Sequence, residues 1–224
     1  MLYTYCLFNS NSLAFSLPEG FMGNLEIIQE GAIAAVVEIG LPQKELETDD
    51  EKLVQAVIHH DWVICEIFRS TTVLPLRFGT YFKQTEDLKQ HLATNQEKYS
   101  QQLQQIVGKV ELTLKLTPIP FSPDKETTQA TKGSTYLKAK KQSYQEQTAY
   151  QNQQQETLTE FQGEMKKKYP QFIQGEPKEG TERFYLLLDS TNLSTFWEQI
   201  QQWKQQLKTW EIEVSDPLPP YHFL

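Results

Sequence analysis

Val110-Glu111-Leu112-Thr113-Leu114-Lys115-Leu116-Thr117 alternates apolar and polar side chains without a break. That period of two belongs to a half-buried β-strand, and Pro118, Pro120 and Pro123 end it. Downstream, residues 134 to 169 contain no proline before the end of the stretch, are rich in Gln, Lys and Glu, and place Leu137, Tyr144, Leu158, Phe161 and Met165 on a sparse apolar stripe. A helix of that extent spans about 50 Å at 1.5 Å per residue, more than a small sheet covers. Two readings stay open for it: a solvated or broken helix, or an arm that binds a partner. Gly175, Pro177 and Gly180 mark a loop. Phe184, Leu186 and Leu188 then alternate with Tyr185, Leu187 and Asp189 as a strand. Phe196, Ile200, Trp203 and Leu207 describe an amphipathic helix capped within residues 191 to 194, and Trp210, Ile212 and Val214 a last short strand. The order strand, long helix, strand, helix, strand fits a modified ferredoxin-like module.

Upstream, residues 2 to 8 and 31 to 39 have strand character, and 24 to 30 predicts a hairpin partner turning at Gly31. Thr48-Asp49-Asp50-Glu51 has the form of a capping box, and Val54, Ile58, Asp61/Trp62 and Cys65 recur at helical spacing, which predicts a helix over about 49 to 68. A second helix opens at Thr85-Glu86-Asp87, shows Leu88, Leu92, Tyr99, Leu103 and Ile106 on one face, and ends near Gly108. Helices and strands in this order, with no Gly-rich strand-to-helix turn, place the chain in the α+β class rather than among doubly wound sheets. Two domains are expected, 1–108 and 109–224, the second carrying the long helix and a Pro-rich tail.

The 224 residues carry a formal net charge of −8, which argues against nucleic acid as a partner, since phosphate binding relies on clustered Lys and Arg. The first residues enter strand-like sequence at once, without the basic and apolar regions of a signal peptide, so an intracellular protein is expected. No apolar run approaches the roughly 18 residues of a membrane span. Cys6 and Cys65 read as reduced, buried thiols. In His59-His60-Asp61, adjacent helical residues diverge by about 100°, so the two histidines do not face one ion. The acidic run Glu45, Glu47, Asp49, Asp50 and Glu51 is accounted for by a helix N-terminus. No nucleophile elbow, phosphate loop or His-Glu-x-x-His pattern occurs. Catalytic, metal and cofactor sites are all expected to be absent.

Two segments ask for a chemical explanation. In Val73-Leu74-Pro75-Leu76-Arg77-Phe78-Gly79-Thr80 an arginine interrupts an apolar run. Its permanent charge needs either a buried carboxylate, with Glu38 and Glu66 as candidates, or a partner at an interface. Pro75 marks a strand edge and Gly79 a bulge or close approach. The tail, Asp216-Pro217-Leu218-Pro219-Pro220-Tyr221-His222-Phe223-Leu224, excludes regular helix and ends on aromatics. It either docks on the chain's own core or recruits another molecule.

The same octet resembles the Leu-Pro-Leu-Arg-Phe-Gly-Thr signature of the gas vesicle protein F and L family. Lys132-Gly133-Ser134-Thr135-Tyr136-Leu137-Lys138 is similar to that family's Gly-Ser/Ala-x-Tyr-Leu motif, and the tail to its Gly-Pro-Trp-Pro-Pro-Tyr-Ser-Phe ending, departing at Asp216, Leu218 and His222. Leu2-Tyr3-Thr4-Tyr5 and the Gly31 to Val37 run agree in order and character. The resemblance implies two ferredoxin-like or modified ferredoxin-like domains and a non-enzymatic role in gas vesicle assembly. It also implies contact with the hydrophobic shell protein and other accessory proteins, and a location at the vesicle. Carried onto this chain, the partner-binding residues are Pro75, Arg77, Phe78, Gly79, Tyr136, Leu137, Pro219, Pro220, Tyr221 and Phe223. A small-molecule-sensing ferredoxin-like regulatory module is the alternative.

Overall fold

The computed structural model describes residues 1–12, 15–41, 49–122 and 134–224. Glu45, Glu47, Thr48, Pro123, Lys132 and Gly133 lie outside the described residues. The chain forms two compact units, Met1–Glu111 with Leu187–Thr191 and Asp216–Leu224, and Leu112–Leu186 with Asn192–Ser215. The tail thus belongs with the first unit.

The first unit holds β1 (Leu2–Asn9), β2 (Leu25–Glu30), β3 (Ile33–Ile39), α1 (Asp50–Phe68), β4 (Val73–Pro75), β5 (Tyr81–Phe82) and α2 (Thr85–Ile106). Its sheet runs β2-β3-β1-β4, with β5 also on β1. β1 is central and buried from Leu2 to Phe8 because helices cover both sheet faces. Pairing with β3 slips between Thr4 and Cys6. This bulge puts Tyr5 and Cys6 in the same cluster, so Tyr3, Tyr5, Cys6 and Phe8 pack with Ala56, Val63, Ile64 and Ile67 of α1. Leu2 and Leu7 pack on the opposite side with Leu88, Leu92, Leu103 and Ile106 of α2, the stripe the spacing predicts. Burying each such side chain contributes about 1.5–3 kcal/mol. Gln96 of α2 accepts the Ala32 N–H at 3.0 Å, pinning the hairpin between β2 and β3.

Two expectations for α1 change. Its N-cap is Asp49, whose carboxylate accepts the Lys52 N–H. The stripe Val54, Ile58, Trp62 faces outward, while Ala56, His60, Val63, Ile64 and Ile67 face the sheet. α1 is apolar around most of its circumference, so two stripes fit its sequence. The true core face was hidden because it includes a histidine.

The second unit is built from β6 (Lys109–Pro118), α3 (Ser134–Lys168), β7 (Ile173–Gln174), β8 (Glu182–Asp189), α4 (Leu193–Gln206) and β9 (Trp210–Val214), except that the first residues of β6, to Glu111, and the last of β8, from Leu187, fall in the first unit. Its sheet order is β7-β8-β6-β9. Counted within its own unit, each sheet runs second, third, first, fourth strand, the ferredoxin-like order. In the first unit the connection from β1 to β2 lacks the usual crossover helix and α2 is added. The fold is α+β. Phe161 of α3, Phe184 of β8 and Trp203 of α4 meet edge to face in the second core, at centroid distances of 5.0 and 5.5 Å. Only the C-terminal part of α3 contributes: Leu158, Phe161 and Met165 are buried, and no described side chain from Tyr136 to Thr157 is. Tyr150 donates to the Ile119 carbonyl and Gln154 to that of Thr209, fastening the middle of the helix. α4 starts at Asn192 without a side-chain cap.

Candidate functional site

β1 holds the Leu-Pro-Leu-Arg-Phe-Gly-Thr segment at both ends. Leu76 N–H donates to the Tyr5 carbonyl at 3.0 Å, and Thr4 N–H to the Thr80 carbonyl at 2.9 Å. Between these anchors the chain leaves the sheet, so the strand-like run stops at Pro75, and a turn, where a bulge or close approach is expected at Gly79, separates β4 from β5. Thr80 donates from both N–H and Oγ1 to the Arg77 carbonyl, closing a four-residue turn. Gly79 supplies its third residue at φ +84°, the left-handed conformation a type II turn requires there. Pro75 sits on the edge strand, as its missing donor predicts.

Arg77 is exposed at the start of the turn and makes no ion pair among the described residues. This overturns the buried-pair reading. Glu66 pairs with Arg69 instead. Glu38 is buried and accepts four donors: Met22 and Gly23 N–H on Oε1, Phe21 N–H and the Tyr5 hydroxyl on Oε2. Three successive amides converging on one carboxylate form an anion-binding nest filled by the chain's own side chain.

Phe78 roots the turn in the core, edge-on to Tyr3 and His60 at centroid distances of 5.9 and 5.7 Å. His60 is buried beneath it. Its Nε2 lies 3.0 Å from the Leu76 carbonyl, which only accepts, so Nε2 carries the proton and Nδ1 accepts the Tyr3 hydroxyl at 2.6 Å. The neutral imidazole is thereby satisfied at both nitrogens, and burial pushes its pKa down. Burial also raises the Tyr3 phenol, while Tyr5 is raised by burial and then by Glu38. These shifts describe a locked structural network below an exposed cation.

The tail docks on the first unit. Leu218 and Glu111 exchange backbone hydrogen bonds of 2.9 Å each way, Pro219 and Pro220 are buried, and Tyr221 packs on the α1 cluster with its hydroxyl donating to Asp61. Glu111, assigned by alternation to the solvent face of β6, is 1% exposed. Its carboxylate accepts the His222 N–H at 2.8 Å and His222 Nδ1 at 2.6 Å. Phe223 is half-buried. Sequence reasoning named Glu38 as a buried carboxylate but gave it the wrong partner, and it missed Glu111. The one available signal was a lone acid inside an apolar run.

Phe78 and Tyr221 therefore reach one buried cluster. Tyr136 and Leu137 lie in the second unit, exposed in the first turn of α3. His59 stacks near Trp62 and Phe21 at 5.0 and 5.6 Å, pointing away from His60. Cys6 is buried, and burial pushes the half-buried Cys65 thiol up to about 11. Among the described residues no group of three His, Cys, Asp or Glu side chains could hold a metal ion, and no helix is long and apolar enough to cross a membrane.

The family profile described as gas vesicle synthesis protein GvpL/GvpF matches residues 1–224. Two solved structures are similar over nearly the whole chain. The gas vesicle protein GvpF from Microcystis aeruginosa aligns with a TM-score of 0.69 at 15% identity, covering 99% of this chain and 98% of that one. The gas vesicle protein GvpF from Anabaena sp. PCC7120 aligns with a TM-score of 0.68 at 18% identity, covering 99% and 94%. No curated protein sequence is significantly similar.

Proposed function

The chain belongs to the gas vesicle synthesis protein GvpL/GvpF family, and we propose on that footing that it is a non-catalytic assembly protein that binds the hydrophobic shell protein at the vesicle. The observation that carries the reading is Arg77: a permanent cation, unpaired among the described residues, on a turn fixed at both ends and rooted by Phe78. A guanidinium left at the surface of a rigid turn is prepared for a planar carboxylate on another protein, with little ordering cost on binding. β4 offers only three residues of edge, too short for strand addition, so recognition runs through the turn's side chains. Pro75, Phe78 and Gly79 shape the turn. Pro219, Pro220, Tyr221 and Phe223 serve by fastening the tail to the same unit.

Co-purification of the tagged chain with the shell protein tests this, with Arg77→Ala and Arg77→Lys compared with the unmodified chain. Losing one partner of an interfacial charge pair costs about 2–5 kcal/mol. Retention should fall at least tenfold for Arg77→Ala, with an unchanged melting temperature and partial recovery in Arg77→Lys. Equal retention by folded Arg77→Ala removes the turn from the interface.

A further inference from the structure

Two helix faces on this chain are apolar, exposed and oppositely charged. On α1, Val54 (58% exposed), Ile58 (65%) and Trp62 (42%) stand at i, i+4 and i+8, forming one ridge. At 1.5 Å per residue the ridge is about 12 Å long. The exposed acids Asp50, Glu51 and Asp61 border it, and Lys52 is the one lysine or arginine within α1. Asp50 and Glu51 make no ion pair among the described residues. On α3, Tyr136 (47% exposed), Leu137 (67%) and Tyr144 (71%) stand along a little more than two turns. Tyr136 and Tyr144 have the eight-residue spacing of Val54 and Trp62, again about 12 Å. Lys138, Lys140 and Lys141 lie among them, and no acid occurs in α3 before Glu146.

Exposed apolar side chains gathered into one ridge, unlike singly scattered ones, mark an interaction surface when a partner covers them, and here one chain supplies both halves of a match. Length and spacing agree, the charges are opposite in sign, and Lys140 holds the middle place of the α3 row between Tyr136 and Tyr144, with Leu137 beside it. We infer that this chain associates with a second copy of itself head to tail, the N-terminal part of α3 from one copy lying across the α1 ridge of the other. Rows of residues four apart on both helices favour ridge-in-groove packing, and the lysines meet Asp50, Glu51 and Asp61. Because the two patches differ, the contact is heterologous: a line of copies keeps one free patch at each of its ends, and growth continues unless a ring closes. The two patches share no residue with the Arg77 turn, and the test requires no shell protein.

Sedimentation velocity on the full chain across a hundredfold concentration range reads the outcome. The average mass should at least double toward the upper end. Trp62→Glu and Tyr144→Glu should each remain monomeric, the first lacking the ridge and the second lacking the α3 patch. Mixed in equal amounts they retain one intact ridge and one intact α3 patch, and should form a dimer that grows no further. Both residues are exposed, so the variants should keep the parental circular dichroism spectrum. A third variant, Lys140→Glu/Lys141→Glu, should weaken association at least tenfold. A chain monomeric throughout overturns the inference. So does association that survives Trp62→Glu, or single variants whose mixture fails to pair.

Discussion

Replacing Glu38 by glutamine changes one oxygen to an NH2 group and leaves shape almost intact, which isolates the acceptor role of this buried side chain. Oε1 takes the Met22 and Gly23 amides, and Oε2 takes the Phe21 amide and the Tyr5 hydroxyl at 2.5 Å. The cheaper placement puts the new NH2 on the Oε2 side, because the Tyr5 hydroxyl can rotate and accept. The Phe21 amide cannot, and faces a donor. One orphaned donor costs about 1–3 kcal/mol, and losing the charge-assisted character of the remaining bonds adds to it, giving about 2–3 kcal/mol in total. With a urea m-value of about 2 kcal/mol/M, the midpoint falls by about 1–1.5 M. Urea unfolding followed by circular dichroism measures the shift, and amide exchange at Met22 and Gly23 should accelerate with it. Gly20→Ala should loosen the same loop by another route, since a Cβ there would lie 2.4 Å from the Gly23 carbonyl oxygen and 2.9 Å from Glu38 Oε2. A midpoint within about 0.3 M of the parent, with unchanged exchange, would show that the nest does not hold the loop and refute the reasoning.

Acid should expose His60. Its folded-state pKa lies below the ordinary 6.5, so the unfolded chain binds the proton more readily. The contribution is complete above 6.5 and is lost as pH falls through that value toward the folded one. His60→Phe should flatten the pH dependence of the urea midpoint between pH 7.5 and 5.5, and parallel slopes would assign the acid sensitivity elsewhere. Gly79→Ala places a side chain at φ +84° with nothing within 4 Å of the new Cβ, so the cost is conformational alone, about 1–2 kcal/mol by thermal melting; a neutral result would mean the turn relaxes. Deleting residues 216–224 leaves Glu111 without its His222 donors and should lower the first unit's melting temperature. His222→Ala, which keeps the backbone donor, should fall between deletion and parent.

The strictly periodic elements were legible. β6 from Leu112, α2 and α4 present one apolar face each, and burial follows the spacing. α1 was not legible in orientation, because periodicity measures how strongly a helix is striped and α1 is apolar on two sides. The Arg77 segment misled for a local reason: Leu74, Leu76 and Phe78 alternate like a strand, but Gly79 and Thr80 close a turn on the Arg77 carbonyl. The partners of Glu38, and the burial of Glu111, were not legible. Their partners are amides, a phenol and an imidazole 15 to 17, 33 and 111 residues distant, and sequence spacing carries no record of such pairings. The tail's Pro219 and Pro220 were readable as non-helical, yet their burial depends on a strand bridge at Glu111.

That bridge has a consequence for biogenesis. Glu111 lies at the end of the first unit's long N-terminal segment, and the His222 atoms that satisfy it lie 111 residues later. On the ribosome, the first sheet and its two helices are synthesised early, but their carboxylate stays without those donors until the tail has left the exit tunnel. The N-terminal unit is therefore begun first and finished last, and a chain interrupted before the tail carries a first unit that has never closed.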